Sequence, residues 1–233
     1  MYKGKFLSAV VTAAGSGTRM GSEINKPYLE IGEKKILEYS LITITSIEEF
    51  DEIILVVREE DFPLASELVS IFRDPRIKMV AGGASREEST YKGLTALNSK
   101  SELVLSHDGV RPFASRNLFL KVLGEMETYK AAISATKSKD TIKVVNEKGE
   151  VDFTPNRDFV YNIQTPQAFD TNLIKKLYEK YFKSEAKITD DSQLFEFFDR
   201  DEPVKVVEGE YSNIKITTTE DIIFAKGYIR GQK

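Results

Sequence analysis

Arg19 lies within, and Lys26 just beyond, a glycine-bearing turn, Ala13-Ala14-Gly15-Ser16-Gly17-Thr18-Arg19-Met20-Gly21, that ends the β-branched run from Phe6 to Thr12. Glycines let backbone N–H groups approach an anion that a Cβ would hold away, and the two cations add formal charge. The stretch therefore reads as a buried strand feeding a phosphate-binding loop. Its spacing excludes two common loops. No Gly-Lys-Ser or Gly-Lys-Thr occurs, as a Walker A loop requires, and Met20 stands where a dinucleotide fingerprint has its third glycine. On the loop alone, a strand-to-helix turn without a ligand stays open.

Two later turns carry further chemistry. Gly82-Gly83-Ala84-Ser85-Arg86-Glu87-Glu88-Ser89 follows a short apolar run, and Ser85 with Glu88 forms a capping box. A helix starting there places its partly positive end beside flexible glycines, although an ordinary turn and cap fits the same residues. The run Leu103–Asp108 ends in an acid and continues as Gly109-Val110-Arg111-Pro112. Asp108 is expected at the carboxyl edge of a sheet, where open α/β folds bind ligands and a carboxylate can hold magnesium against substrate phosphates. A structural ion pair between Asp108 and Arg111 is the alternative. His107, the only histidine, is expected to be packed or to support a neighbour rather than to act as a general base.

Composition narrows the classes. A chain of 233 residues, 41% apolar and 30% charged, suits one α/β domain over residues 1–233. Such a globule buries roughly 70–75% of the surface exposed by its unfolded chain. A net charge of −4 gives no general attraction to nucleic acid, so an anion site has to be local. Without cysteine there is no disulfide, thiolate metal site or cysteine nucleophile, which fits a cytoplasmic protein. Lys3 and Lys5 ahead of an apolar stretch look superficially like a secretory leader, but cleavage there would remove the strand and its glycine loop. No run reaches the ~18 apolar residues that a membrane helix needs.

The elements that must carry these turns alternate. Strands are expected at 53–57, 77–80, 131–135, 204–207 and 213–217. Helices are expected from Ile36, over 62–72 with Leu64, Leu68 and Ile71 facing inward, from Ser85 with Tyr91, Leu94 and Leu97 inward, and from Thr171 with Leu173, Leu177 and Tyr181 in register. Two more follow Asp190-Asp191 and Thr218. This order argues for a mostly parallel sheet with helices on both faces. Two alternating segments, Asp140–Val145 and Val151–Thr154, flank the polar turn Asn146-Glu147-Lys148-Gly149-Glu150 and read as an inserted β-hairpin. An isolated hairpin is marginal, so a second copy of the chain is expected to cover it.

Together these motifs resemble the 2-C-methyl-D-erythritol 4-phosphate cytidylyltransferase family. In order along the chain they are Ala13–Met20, Lys26 with Tyr28-Leu29, Gly82-Gly83 with Arg86 and Ser89, His107-Asp108 with Arg111-Pro112, Asp140-Thr141, Thr165-Pro166-Gln167, Thr189-Asp190 and Asn213-Ile214-Lys215. The resemblance implies a Rossmann-like nucleotidyltransferase that joins CTP to a polyol phosphate, 2-C-methyl-D-erythritol 4-phosphate, and releases pyrophosphate, with Mg2+ as cofactor; a ribitol-5-phosphate cytidylyltransferase and a non-catalytic nucleotide-binding module are the alternatives. It implies catalytic roles for Arg19 and Lys26 at the triphosphate, and a nucleotide site of Ala13, Ala14, Gly15, Ser16, Gly17, Gly82, Gly83 and Ser89. Asp108 would serve the metal; Arg111, Thr189 and Lys215 would bind the acceptor. A dimerisation arm at about 137–161 would bring Thr141 and Arg157 to the other subunit of a homodimer. Two departures stand out. Asn25-Lys26-Pro27-Tyr28 replaces the common Pro-Lys-Gln-Tyr, and Gly109-Val110 replaces two alanines, the valine being similar to ribitol-5-phosphate cytidylyltransferases.

Overall fold

The computed structural model describes residues 1–15 and 25–232. Ser16, Gly17 and Arg19 lie outside the described residues. The centre is a seven-stranded sheet in the order β11 (Val204–Glu208), β7 (Ala131–Lys137), β10 (Tyr161–Asp170), β6 (Leu103–Asp108), β1 (Leu7–Thr12), β4 (Glu52–Val57), β5 (Ile77–Ala81). All neighbours pair in parallel except β10, which is antiparallel to both β6 and β7. From β1 the chain moves out to β4 and β5, then returns to β6 on the other side of β1. That reversal leaves a crevice beyond the carboxyl ends of β1 and β6, the place where such sheets bind ligands.

Burial on both faces explains the continuous apolar strands. Leu7, Ala9 and Val11 of β1 join one core cluster with Leu37 and Leu41 of α1 (Ile36–Thr45), Leu68 of α2 (Phe62–Phe72) and Phe119 of α4 (Arg116–Glu125). Val10, between them, joins the opposite cluster with Leu94 of α3 (Arg86–Thr95), Leu177 of α5 (Thr171–Tyr181) and Phe195 of α6 (Gln193–Phe198). Alternate side chains of one strand thus enter two cores, each buried aliphatic contributing about 1.5–3 kcal/mol. A third, smaller cluster sets Ile31 and Ile36 against Ile216 and Ala225 of α7 (Thr219–Arg230).

Several expectations change. In α2 the inward residues are Ala65 and Leu68, while Leu64 and Ile71 are exposed. In α5 the fully buried positions are Ile174, Leu177 and Tyr178, with Leu173 and Tyr181 packed at the margin. Residues 213–217 form no strand because their backbone is engaged elsewhere. The Asn213 carbonyl accepts from Arg111 Nη1 at 2.9 Å and the Ile216 N–H donates to the Val110 carbonyl at 2.9 Å. Helix α4, started by Ser115, whose hydroxyl accepts from the Leu118 N–H, and the central strand β10 have no counterpart among the sequence expectations. Two small pairs complete the set: β2 (Glu30–Ile31) with β3 (Lys34–Lys35), and β8 (Val144–Val145) with β9 (Val151–Phe153), which is the expected hairpin with shorter strands.

Candidate active site

Two cavities meet at the carboxyl edge of β1 and β6. The first, about 560 Å³, is bounded by Ala13, Ala14, Gly15, Lys26, the Gly82-Gly83 turn and Ser89. The second, about 860 Å³, lies over β10 and is bounded by Arg111, Thr165, Gln167 and Thr189. Arg86, Asp108 and Lys215 line both.

Sterics shape the first cavity. A Cβ on Gly82 would lie 2.5 Å from the Ala14 Cβ, and one on Gly83 would lie 2.3 Å from the Glu88 Cβ. Only glycines allow the turn after β5 to close against the loop after β1. Ser89 ties the turn down: its hydroxyl accepts from the Gly83 N–H at 3.0 Å and donates to the Ser85 carbonyl at 2.8 Å. Ser85 caps α3 through the Glu88 N–H, as its spacing predicts, while the Glu88 carboxylate takes the Ala84 N–H at 2.8 Å.

Lys26 begins a single 3-10 turn, Lys26–Tyr28, and its Nζ reaches the Thr217 carbonyl at 3.4 Å. The turn is latched by the segment that follows β4. Buried Asn25 donates through Nδ2 to Asp61 Oδ2 at 2.7 Å, and Arg58 grips the same carboxylate with Nε and Nη2, both at 2.7 Å. A two-pronged guanidinium–carboxylate pair is a rigid anchor, so the backbone entering Lys26 is set by a side-chain network.

Asp108 ends β6 opposite Thr12 of β1. Arg111 Nε and Lys215 Nζ both meet its Oδ2, at 3.2 and 3.1 Å. Burial alone would raise its pKa, but Lys215, Arg111 and Arg86 outweigh that cost and hold the carboxyl well below the usual carboxylate range. It is an anion near neutral pH. The ion pair expected from sequence is therefore present, joined by a second cation.

His107 is fully buried, packed 4.9 Å from the Phe119 ring. The Thr165 hydroxyl accepts from the Asp108 N–H at 3.0 Å and contacts His107 Nδ1 at 3.1 Å, while His107 Nε2 faces the Arg111 carbonyl at 3.4 Å. One assignment satisfies every group: Thr165 donates to Nδ1 and Nε2–H donates to the carbonyl. Burial pushes the imidazole down to about 4, so it is neutral, a supporting residue as expected rather than a base.

Thr141 and Arg157 are not brought to this site. They border a separate small cavity in the arm, where Arg157 Nη1 lies 3.5 Å from the Lys139 carbonyl. Both are exposed.

The comparisons decide the family. Residues 7–231 match the family described as IspD: 2-C-methyl-D-erythritol 4-phosphate cytidylyltransferase. Proteins of that name from Clostridium botulinum (strain ATCC 19397 / Type A) and Caldanaerobacter subterraneus are similar to this chain. The first is 40% identical, covering 94% of this chain and 95% of the relative. The second is 39% identical, covering 96% and 99%. The crystal structure of 4-diphosphocytidyl-2C-methyl-D-erythritol synthase from Anaerococcus prevotii superposes with a TM-score of 0.90 at 59% identity, over 97% of this chain and 96% of that one. The chain belongs to the 2-C-methyl-D-erythritol 4-phosphate cytidylyltransferase family.

Both departures from that family's pattern have local causes. Asn25 supplies the donor to Asp61 that a proline could not, and Pro27 takes the second position of the 3-10 turn, where no backbone N–H is needed. At Gly109 a Cβ would stand 2.9 Å from Leu37 Cδ1 and 3.2 Å from the Thr12 carbonyl, and Val110 packs in the small cluster with Ile216. Packing thus accounts for Gly109-Val110 without an altered acceptor, and the ribitol alternative is not favoured by the relatives. Arg86 is the group that motif reading left without a role. A signal existed: a cation as the first residue of a helix opposes the helix dipole.

Proposed function

We propose that this chain transfers the cytidylyl group of CTP to the phosphate of 2-C-methyl-D-erythritol 4-phosphate, giving 4-diphosphocytidyl-2-C-methyl-D-erythritol and pyrophosphate. The observation that carries this reading is the charged junction shared by two cavities, with Asp108 and Lys215 at their meeting point. One cavity suits a nucleotide and the other a small phosphorylated acceptor.

In this reading residues 1–233 act as one nucleotidyltransferase domain. Ala13, Ala14, Gly15, Ser16, Gly17, Gly82, Gly83 and Ser89 hold the nucleotide. Arg19 and Lys26 grip the triphosphate, and Arg111, Thr189 and Lys215 bind the acceptor. The nucleophile is an acceptor phosphate oxygen, already anionic near neutral pH, so no base is required. A neutral, fully engaged His107 agrees with that. The difficulty is repulsion between anions, and catalysis is then mostly positioning and charge stabilisation by preorganised cations and N–H groups.

Magnesium suits Asp108 in one respect. Among the described residues both of its ion pairs end on Oδ2, which leaves Oδ1 as a hard oxygen ligand there. Among the described residues no group of three or more His, Cys, Asp or Glu side chains could hold a metal, so phosphate oxygens would complete its shell. When bound, the ion would neutralise phosphate charge at the junction.

The arm supports a homodimer. β8 and β9 have two and three residues, too few to stand alone, and Val144, Val145, Val151 and Phe153 are all exposed. A second copy covering them would carry Thr141 and Arg157 to the neighbouring acceptor cavity. Pyrophosphate release measured with CTP, ATP, GTP and UTP against methylerythritol phosphate and ribitol 5-phosphate tests base and acceptor together. Turnover is expected with CTP and methylerythritol phosphate; preference for another pair overturns the assignment.

A further inference from the structure

Arg86 starts α3, where the unpaired helix N–H groups already make a partly positive end and an added cation is unfavourable by roughly 0.3–1 kcal/mol. Something else must hold it there. Its Nη2 pairs with Asp191 Oδ1 at 3.0 Å, and Asp191 is almost completely buried. That carboxylate is itself immobilised: Oδ1 accepts from the Tyr178 hydroxyl at 2.6 Å and Oδ2 from the Ser106 hydroxyl at 3.0 Å. Ser106 lies on β6, two residues before Asp108, so the anchor belongs to the same strand that builds the junction.

The other arm of the guanidinium tells a different story. Nη1 has no hydrogen-bond partner among the described residues and lies closed to solvent, whereas the side chain as a whole keeps 31% of its surface open. Leaving a buried charged donor unpaired costs about 1–3 kcal/mol or more, which a residue serving only to neutralise Asp191 would have no reason to incur. Arg86 is also one of the three residues, with Asp108 and Lys215, that line both cavities among the described residues.

We propose that Arg86 is a catalytic residue whose guanidinium, on a side chain still 31% exposed at the junction, donates to a phosphate oxygen where the acceptor phosphate meets the α-phosphorus of CTP, with Asp191 as its positioning residue; this rests on the cytidylyl-transfer reading above. In that step an acceptor phosphate oxygen forms the new bond to the α-phosphorus. The bond from the α-phosphorus to the bridging oxygen breaks, and its electron pair leaves on pyrophosphate. Arg86 keeps its proton throughout. Its planar fork is what the task needs, since one limb must hold Asp191 while the other holds the ligand, and a lysine ammonium offers no such fork.

The test begins with the wild-type chain, whose pyrophosphate release with CTP and 2-C-methyl-D-erythritol 4-phosphate judges the underlying reaction by itself. Arg86→Gln and Arg86→Lys are then compared with it for kcat and for the Kd of CTP without acceptor, after thermal melts confirm folding. Arg86→Gln is expected to lose ~10²–10³ in kcat, the scale of one preorganised donor, with the CTP Kd within about threefold. Arg86→Lys keeps a charge beside Asp191 and is expected to lose at least about tenfold, which decides the matter if the glutamine variant does not fold. A folded variant with kcat within about threefold of wild type overturns the proposal, as does a loss carried entirely by weaker CTP binding. If the wild type is inactive, calorimetry with inorganic phosphate separates the two ideas. Arg86→Lys is then expected to bind it at least about tenfold more weakly than wild type, and equal affinity overturns the role of Arg86.

Discussion

The junction at the ends of β1 and β6 and the β8–β9 arm are built on opposite plans. At the junction, charges are buried and matched within one chain: Asp108 meets Arg111 and Lys215, and Asp191 meets Arg86, Tyr178 and Ser106. In the arm, apolar side chains face outward, Phe153 at 55% and Val151 at 59% exposure, beside an Arg157 whose Nη1 makes a long contact with the Lys139 carbonyl. Among the described residues the first is held together by its own chain, except at Arg86 Nη1. The second has little stability of its own, because its apolar area is uncovered and a short hairpin is marginal.

Breaking the junction should have the largest effect. Lys26→Ala is expected to lower kcat by ~10²–10³ in steady-state assays of the folded protein, as for one lost transition-state donor. A near-normal kcat would place the triphosphate elsewhere. The neutrality of the junction's support is tested by pH. The folded His107 titrates at about 4, below the ordinary 6.5, so the unfolded chain takes up the proton first as the pH falls. Its contribution is full above pH 6.5 and is lost as the pH drops towards 4, by about 3 kcal/mol at ~1.4 kcal/mol per unit. Urea unfolding of wild type and His107→Gln from pH 4 to 7 should show the steeper fall in the wild type; equal slopes would mean that His107 is not held neutral.

On the arm, Phe153→Ser should weaken self-association by about ten- to a hundredfold in sedimentation experiments, as expected for one large apolar side chain. The sheet's melting temperature in dilute solution should stay unchanged. An unaltered dimer would mean that the arm faces no partner. Arg157→Ala should raise the KM for acceptor by about tenfold, the smallest of these effects, as for one charge-assisted contact. Subunits of Arg157→Ala mixed with Lys26→Ala should recover activity in hybrid dimers, and no recovery after proven exchange would confine each site to one chain.

The strands with uninterrupted apolar sequence were legible because both faces of the sheet are covered, so β1, β4 and β6 need no polar side. The glycine turns were legible for a related reason: closeness to Ala14 and Glu88 leaves no room for another residue. Strand β10 was not. Gln164, Thr165, Pro166 and Gln167 show no apolar strand pattern, yet they lie between β6 and β7. Distant groups engage them: Gln164 Nε2 donates to the Glu210 carbonyl at 2.9 Å and Gln167 Nε2 to Asp190 Oδ2 at 3.1 Å. The inward face of α2 was misjudged because its apolar residues, Phe62, Leu64, Leu68, Val69, Ile71 and Phe72, surround the helix, and only packing selects among them. Arg86 escaped for the same reason as β10, since its partner Asp191 lies more than a hundred residues away.

The central claim is that a phosphate oxygen of the acceptor attacks the α-phosphorus of CTP at the junction of the two cavities. Methylerythritol phosphate carrying 18O on its phosphate tests this most directly, with the products read by 31P NMR isotope shifts. The account predicts 18O in the bridge of the product diphosphate and unlabelled pyrophosphate. Label in the pyrophosphate, or a product joined through an acceptor hydroxyl, would contradict it.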